Sequence, residues 1–318
     1  MHENGENGRL DGTYEVRRPE VEDASAIHGL ISACDAEVLG HPDMTLDDVT
    51  DELSDPSLDR GRDAWVVLRD AGVVGWGYAR RKGDGGDSDI EVCSQDPRVT
   101  GWLWDTVLGR AREIAAGPGA PRAMADIGIY REDTGKREWA ERYGFAAERS
   151  FHRLRIDHDG PVDPVPAPDG AEVRRAETDA QVRAAHQVHQ KGFAEHFGFV
   201  AREYPGWREE FEASSTHDWG QLLLATVRGA PAGMLLGSDM FVSDENCGYV
   251  RVLAVLPEFR GRGLGRLLLR RAFAADALRG RAGTYLHVDS ENTSPALDLY
   301  LSAGMRPVLT IDVWRRLV

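Results

Sequence analysis

Cysteine is scarce in this sequence. Its 318 residues include only three cysteines, Cys34, Cys93 and Cys247, which are widely separated and form neither a C-x-x-C pair nor a Cys/His cluster. An odd number of dispersed cysteines predicts neither a disulfide framework nor a zinc site. We therefore expect three buried, unpaired thiols and a protein without a metal site.

Long apolar runs and an excess of positive charge are also missing. No stretch approaches eighteen consecutive apolar residues, and the first thirty residues lack the basic and apolar regions of a signal peptide. The formal net charge of −15 repels nucleic acid and anionic membranes at long range. The sequence therefore predicts a soluble, cytoplasmic protein that binds small molecules and neither nucleic acid nor membrane.

An internal repeat organises the chain. With an offset of about 157–161 residues, Tyr14-Glu15-Val16-Arg17-Arg18 returns as Ala171-Glu172-Val173-Arg174-Arg175. In each copy the hydrophobic pattern then predicts helices, a hairpin, a strand, a long helix, a strand, a helix and a last strand. This order indicates an α/β fold in each copy, with a mixed, mostly antiparallel sheet flanked by helices.

The boundaries of the repeats follow from proline and from periodicity. Residues 157–170 contain four prolines, which favour an extended connector over a helix or a central strand. We predict a first domain over residues 1–158, a linker over 159–170 and a second domain over 171–318. Within them we predict strands over Ile90–Pro97 and Tyr249–Pro257, and helices over Leu103–Ile114 and Leu264–Leu278.

The most informative segment is V-R-V-L-A-V-L-P-E-F-R-G-R-G-L-G, residues 250–265, which predicts a strand, a glycine-rich turn and a helix N-terminus. Such glycines let the backbone turn sharply and present its N–H groups to a diphosphate beside the positive end of the helix dipole. A dinucleotide fingerprint is excluded because residue 266 is arginine, and no Walker sequence is present. A local basic patch accompanies the turn, formed by Arg260, Arg262, Arg266, Arg270, Arg271, Arg279 and Arg281.

Two motifs in the second copy resemble those of the GNAT superfamily of N-acetyltransferases. Residues 260–265, R-G-R-G-L-G, are similar to its acetyl-CoA loop, Q/R-x-x-G-x-G/A, and residues 292–305 resemble its second signature, N-x-x-A-x-x-x-Y-x-x-x-G-F/M. The resemblance implies two tandem GNAT-like domains, with acetyl-CoA bound by the second. The residues it implies for CoA binding are Leu253, Ala254, Val255, Arg260, Gly261, Arg262, Gly263, Leu264, Gly265, Arg266, Asn292 and Ala296.

The resemblance also implies particular roles. Amides of the turn hold the CoA pyrophosphate, while Asn292 and the backbone of residues 253–255 contact the pantetheine arm. Tyr300 is implied to protonate the departing thiolate, a task that a phenol can perform as a general acid. Alternatively, Tyr300 is an aromatic core residue and Asn292 a turn residue.

The general base is left open by the sequence. The family often places a glutamate on the strand before the turn, where this chain has Tyr249 and Arg251. The remaining candidates, besides a water relay, are His287, Asp289, Asp239, Glu195 and His196, and each can equally have a purely structural role. The aromatic loop over residues 193–199 predicts either an acceptor pocket or helix packing.

The first copy lacks the glycine turn and the asparagine of the second signature. In place of the glycine turn it has Thr100-Gly101-Trp102-Leu103-Trp104, and Glu132 aligns with Asn292. We therefore predict that the first copy does not acetylate. An acidic run between Asp43 and Asp63 indicates either a solvated helix face or attraction of a cationic acceptor.

The function predicted from the sequence is acetyl transfer from acetyl-CoA to the amine of a small molecule, in the second domain. Mycothiol synthase, a tandem member of the same superfamily, is an alternative. A noncatalytic acyl-CoA-binding or sensing protein is the alternative from another class, because it would keep the glycine loop without needing Tyr300.

Overall fold

The computed structural model describes residues 10–83, 85–117, 122–162, 165–194, 196, 199–290 and 296–318. The first repeat forms β1 (Glu15–Arg17), α1 (Ala24–Leu39), α2 (Leu46–Ser54), α3 (Arg60–Asp63), β2 (Ala64–Arg69), β3 (Gly72–Arg81), β4 (Ser88–Cys93), α4 (Pro97–Ala115), β5 (Met124–Tyr130), α5 (Thr134–Arg142) and β6 (Ala146–Asp157). The second forms β7 (Ala171–Arg175), α6 (Asp179–Gly192), α7 (Tyr204–Glu212), β8 (His217–Val227), β9 (Ala230–Ser238), α8 (Val242–Glu245), β10 (Cys247–Val255), α9 (Leu264–Leu278), β11 (Gly283–Asp289), α10 (Ala296–Ser302) and β12 (Arg306–Leu317).

The chain forms two compact units. Their bounds differ from those of the two sequence repeats, because the last strand of each unit comes mainly from the other repeat. Unit 1 consists of Met1–Arg149 and Ile311–Val318, and unit 2 of Ser150–Thr310. Within unit 1 the strand order is β1-β2-β3-β4-β5-β12, and within unit 2 it is β6-β11-β10-β9-β8-β7. Each unit therefore takes its last strand mainly from the other repeat. The predicted domains, 1–158 and 171–318, mark the repeats along the chain, and as domain boundaries they stay a prediction.

Helices cover both faces of the sheet in unit 1. Side chains alternate along β2, so the neighbours Val66 and Val67 point to opposite faces. Val66 packs with α1 and α2 through a cluster that includes Ile27 and Leu53. Val67 packs with the apolar side of α4, including Leu103. The sheet is antiparallel except where β4 runs parallel to β5.

Unit 2 repeats this arrangement. One face of its sheet packs against α6 and α7 through a cluster that contains Trp207 and Ala254. The other face packs against α9 and α10 through a cluster that contains Phe273 and Tyr300. The sheet is again antiparallel except where β10 runs parallel to β11. The mixed, mostly antiparallel fold predicted from the sequence is confirmed.

The bounds of some helices and strands differ from those predicted from the sequence. The prediction for α9 is confirmed residue for residue, but β4 ends at Cys93 and β10 at Val255, before the prolines, and Pro97 begins α4. Proline fits the first turn of a helix because its missing N–H is not needed there. None of the helices in the described ranges combines the length and apolar character that a bilayer crossing requires.

The expectation of three buried thiols is correct only for Cys247. All three cysteines are free, but Cys34 and Cys93 are half-buried, and their Sγ atoms lie 3.3 Å apart. The fold brings α1 beside the end of β4, which the wide spacing of these cysteines in the sequence did not indicate. In the described ranges, no group of three or more His, Cys, Asp or Glu side chains is arranged to hold a metal ion.

Candidate active site

The strands β10 and β11 separate halfway along β10. Their parallel pairing runs from Cys247↔Gly283 to Val250↔Leu286, and β10 then continues to Val255 paired with β9. A bulge between Val250 and Val252 marks the point of separation. Within the described residues, the backbone of Leu253, Ala254 and Val255 thus has β9 on one side and no ladder to β11 on the other.

The turn after β10 leads directly into α9. A short 3₁₀ turn over Pro257–Phe259 precedes it, and both Gly261 (φ +72°) and Gly263 (φ +80°) adopt the left-handed conformation. Gly263 is the N-cap of α9, and no side chain in the described residues caps this helix. The N–H of Leu267 bonds to the carbonyl of Gly263 (3.0 Å). The amides of Leu264, Gly265 and Arg266 precede this first helical bond and are oriented to bind an anion.

Gly265 has a different role from the other two glycines. A Cβ at this position would lie 2.8 Å from Cδ2 of Leu299, whereas Gly261 has open space around it. Gly265 therefore allows α10 to pack closely against the first turn of α9. Arg266 supports the same contact, because its guanidinium donates to the Ser302 hydroxyl (2.7 Å).

The arginines of the predicted basic patch are not equivalent. Nε of Arg260 donates to the Val255 carbonyl (3.1 Å) and so ties the turn to the end of β10, while the guanidinium of Arg262 lies 5.5 Å from the ring centroid of Phe259. Arg281 is buried and bonds to Asp239 (2.7 Å), with Asp276 at 3.5 Å. The patch prediction is thus wrong for Arg281, which is an internal ion-pair partner.

Tyr300 lies in the apolar cluster between α9, α10 and the sheet. Leu253, Val255 and Ala296 pack against the same cluster, so Tyr300 shares it with the open end of β10. Its side chain is 9% exposed, and burial raises the pKa of Tyr300 to about 12. The phenol is therefore protonated at neutral pH, which is the form that a general acid requires.

Two residues named from the sequence lie outside the described residues. These are Asn292, predicted to contact the pantetheine arm, and Glu195, a candidate base.

Two of the candidate bases are engaged in structural networks. His287 accepts a hydrogen bond from Nε of Arg153 at its Nε2 (3.0 Å), while its Nδ1 lies 3.0 Å from the Tyr249 hydroxyl. A neutral imidazole has one ring lone pair, and Arg153 occupies it. Asp239 bonds to Arg281 and follows Ser238, which pairs with Tyr249 at the end of β10 remote from Val255. Both side chains are thus held by other polar groups of unit 2.

His196 is another candidate base, and it lies close to Arg260 of the turn. Burial lowers the pKa of His196, the Arg260 guanidinium lowers it further, and the Asp289 carboxylate raises it. The imidazole therefore lies within electrostatic reach of both the turn and the end of β11. With its pKa below the ordinary value of 6.5, His196 is neutral at physiological pH. Its ring stacks on Phe193 with centroids 4.2 Å apart.

The aromatic residues behind this loop are largely core. Trp207 is 1% exposed, and its indole N–H donates to Nδ1 of His189 (2.8 Å). Burial, with the nearby His186 and His196, lowers the pKa of His189 to about 4, so that imidazole is a neutral acceptor. On the same face of the sheet, the Arg251 guanidinium lies 4.5 Å from the ring centroid of Phe211. Helix packing thus accounts for Trp207 and Phe211.

The sequence of this chain is similar to a family profile and to named proteins. The profile described as acetyltransferase (GNAT) family matches residues 183–305. A mycothiol acetyltransferase of Tsukamurella paurometabola is 34% identical over 209 residues, which cover 62% of this chain and 69% of that protein. Another, from Acidothermus cellulolyticus, is 30% identical over 183 residues, and this match spans 52% of the chain and only about half (54%) of that relative.

Solved structures show that the likeness in fold extends over both repeats. A GCN5-related N-acetyltransferase from Sphaerobacter thermophilus matches with a TM-score of 0.82 at 22% identity, covering 97% of each chain. A tandem GNAT protein from the clavulanic acid biosynthesis pathway matches with a TM-score of 0.74 at 17% identity, covering 96% of this chain and 98% of that one. The predicted tandem GNAT-like architecture is thereby confirmed.

Proposed function

Because this chain belongs to the GNAT family of acetyltransferases, we propose that its unit 2 transfers an acetyl group from acetyl-CoA to the amine of a small molecule. The observation that carries the proposal is the start of α9, which no side chain of the described residues caps and where left-handed glycines present three backbone amides. These amides lie beside the part of β10 that is not paired with β11 in the described residues. A diphosphate and an amide-containing arm, joined end to end, are the chemistry that these two surfaces recognise together.

CoA binding divides between the turn and the strand. The amides of Leu264, Gly265 and Arg266 bind the pyrophosphate, with Arg262 adding positive charge at the same end. The backbone of Leu253, Ala254 and Val255 pairs with the amides of the pantetheine arm, as an added strand pairs with an open edge. Arg260 holds these two surfaces in register through its bond to the Val255 carbonyl.

The chemistry is direct acyl transfer. The lone pair of a neutral amine attacks the thioester carbonyl carbon, and the C–S bond of the tetrahedral intermediate then breaks. Tyr300 gives its phenolic proton to the departing thiolate, while His196, directly or through a water, takes the proton that the attacking nitrogen loses. A buried phenol and a neutral imidazole are in the protonation states that these steps require.

Mycothiol synthesis is a second candidate for the reaction of unit 2. It is favoured by the two relatives named mycothiol acetyltransferase. Against it stands the strand before the turn, where Tyr249 and Arg251 occupy the positions at which we expected a glutamate. In this case the acceptor would be an amine of the mycothiol-forming reaction rather than another small amine.

A thiol-release assay tests both proposals. The full chain is incubated with acetyl-CoA and a panel of small amines that includes the mycothiol precursor, free CoA thiol is measured, and products are identified by mass spectrometry. We expect amine-dependent thiol release and a product heavier by one acetyl group. Saturable acetyl-CoA binding without thiol release for any amine would instead support a noncatalytic acyl-CoA sensor.

A further inference from the structure

Unit 1 contains a cavity of about 450 Å³ that the proposed acetyl transfer does not use. It lies where β4 and β5 separate, beyond their parallel pairs Ser88↔Ala125 and Asp89↔Asp126. Its lining comes from α1, α2, α4 and α5 together with β3, β4 and β5. Both its volume and its position at diverging strands are typical of sites for small molecules.

The charged groups around this cavity are mostly acidic. Its described lining carries five carboxyl side chains and one ammonium group, those of Asp35, Glu37, Glu52, Glu91, Asp133 and Lys136. The ammonium of Lys136 already bonds to the Glu91 carboxylate (2.5 Å), and Asp35 accepts the backbone N–H groups of Asp43 and Met44. Glu52 is different, because burial raises its pKa to about 7 despite a bond from Tyr78 and the charge of Arg80. A cationic group beside Glu52 would favour its carboxylate form.

Aromatic side chains form much of the remaining wall. Trp76 and Trp104 are both fully buried and line the cavity, and neither indole N–H has a hydrogen-bond partner among the described residues. A buried N–H without an acceptor is costly, so an oxygen atom of a bound molecule that reaches either N–H group would stabilise it. The Arg80 guanidinium lies 5.6 Å from the ring centroid of Tyr78. The ring of Trp76 also lines the cavity and can contact a cation in the same way.

We propose that the cavity of unit 1 binds a small organic ammonium compound that also carries a hydroxyl or carbonyl oxygen. The cationic group lies beside Glu52 and the ring of Trp76, and the oxygen accepts a hydrogen bond from an indole N–H. Acyl-CoA does not suit this site, because its pyrophosphate would meet the carboxylates and the helix α4 has no open N-terminus. This site is separate from the acetyl transfer proposed for unit 2.

Calorimetric titration of the full chain tests the proposal without depending on turnover. The probes are choline, ethanolamine and glucosamine, together with 3,3-dimethyl-1-butanol, an uncharged molecule of the shape of choline. We expect at least one ammonium probe to bind at one saturable site and the uncharged molecule to bind at least about tenfold more weakly. If none of the three ammonium probes binds, or the uncharged molecule binds equally well, the proposal is wrong.

Two variants assign the binding to this cavity. Glu52→Gln keeps the shape of the side chain and should weaken binding about tenfold or more, while Asp47→Asn removes the same charge from the exposed face of α2 and should have no effect. Trp76→Phe is a second test, which does not depend on the folding of Glu52→Gln. This variant keeps an aromatic ring but loses the N–H group, and it should weaken binding severalfold. Unchanged binding in both cavity variants, or displacement of the probe by acetyl-CoA, would overturn the assignment.

Discussion

The two strand–turn–helix segments of this chain begin alike and then differ. In unit 2, Pro257 opens a short 3₁₀ turn, the glycine turn follows, and α9 starts only at Leu264 without a side-chain cap in the described residues. In unit 1, the aligned Pro97 is itself the first residue of α4, and the Asp96 side chain caps that helix by accepting from the Arg98 N–H. The residues aligned with the glycine turn are therefore helical in unit 1, and the Asp96 carboxylate accepts from the start of the helix in the way that a bound anion would.

A second difference concerns the helix that follows the next strand. In both units a left-handed glycine ends this helix, Gly144 (φ +77°) or Gly304 (φ +98°). The next amide then bonds back to the helix, from Phe145 to the Ala140 carbonyl (2.9 Å) and from Met305 to the Tyr300 carbonyl (3.1 Å). Ala140 thus stands where unit 2 has its phenol. The helix ending is therefore the same in both units, whereas the proposed acid has no counterpart at the aligned position of unit 1.

The largest effect is expected from removing that group in unit 2. Tyr300→Phe should lower kcat by roughly 10²–10⁴-fold with nearly unchanged acetyl-CoA affinity, because only the proton donor is lost. Steady-state kinetics and calorimetry measure the two quantities. The control is Tyr285→Phe, which removes the hydroxyl of a buried tyrosine near the start of β11. This variant should keep kcat within a few-fold of the wild-type value. If Tyr300→Phe retains wild-type kcat with chemistry rate-limiting, Tyr300 belongs to the core alone.

The next effect concerns the glycine turn that unit 1 lacks. Gly263→Val should lower acetyl-CoA affinity by about ten- to a hundredfold, because a side chain at φ +80° distorts the turn and displaces the amides that we propose to bind the pyrophosphate. Gly280→Val is the matched control, since Gly280 is also left-handed (φ +74°) and unobstructed but follows the other end of α9. Calorimetry should give one CoA site per wild-type chain. Two sites, or equal affinity in both variants, would contradict the contrast between the units.

A smaller effect should appear in the pH dependence of unit 2. His196 must be neutral to accept a proton, and burial and Arg260 place its pKa below 6.5. The acidic limb of kcat/KM should therefore fall only as the pH decreases below 6.5, with the neutral form active above it. His196→Gln should lower kcat/KM and remove this limb. A limb that persists unchanged in His196→Gln would assign the titration to another group, such as the acceptor amine.

The smallest effect is expected at the cap of α4 in unit 1. Hydrogen bonds from Tyr14 and from backbone amides hold the pKa of Asp96 below its ordinary value, so the cap is a carboxylate at neutral pH. Asp96→Ala should reduce the free energy of unfolding by about 1 kcal/mol, as measured by urea denaturation. The number of CoA sites should stay at one, since the aligned residues are helical and not a turn. Gain of a second CoA site would show that the carboxylate alone excludes CoA from unit 1.

Much of unit 2 was predictable because its signals are local. The bounds of α9 follow from apolar spacing, and the turn before it follows from glycines that adopt left-handed φ, which few other residues tolerate. The roles of Gly265 and Arg260 were not predictable, because each depends on a partner from another element, Leu299 in α10 and the carbonyl of Val255 in β10. Arg281 was misassigned for the same reason, since Asp239 lies far from it in the chain.

The sequence by itself determined the repeat, the order of its elements and the glycine turn before α9, because these properties depend on neighbouring residues and on backbone conformation. Only the tertiary structure decided which last strand each unit takes, how far α4 extends through the residues aligned with the turn, and which carboxyl groups meet around the cavity of unit 1. Strand pairing and burial depend on residues distant in the chain, so no local pattern specifies them. The pKa of Glu52 illustrates this, because burial in the folded unit raises it to about 7.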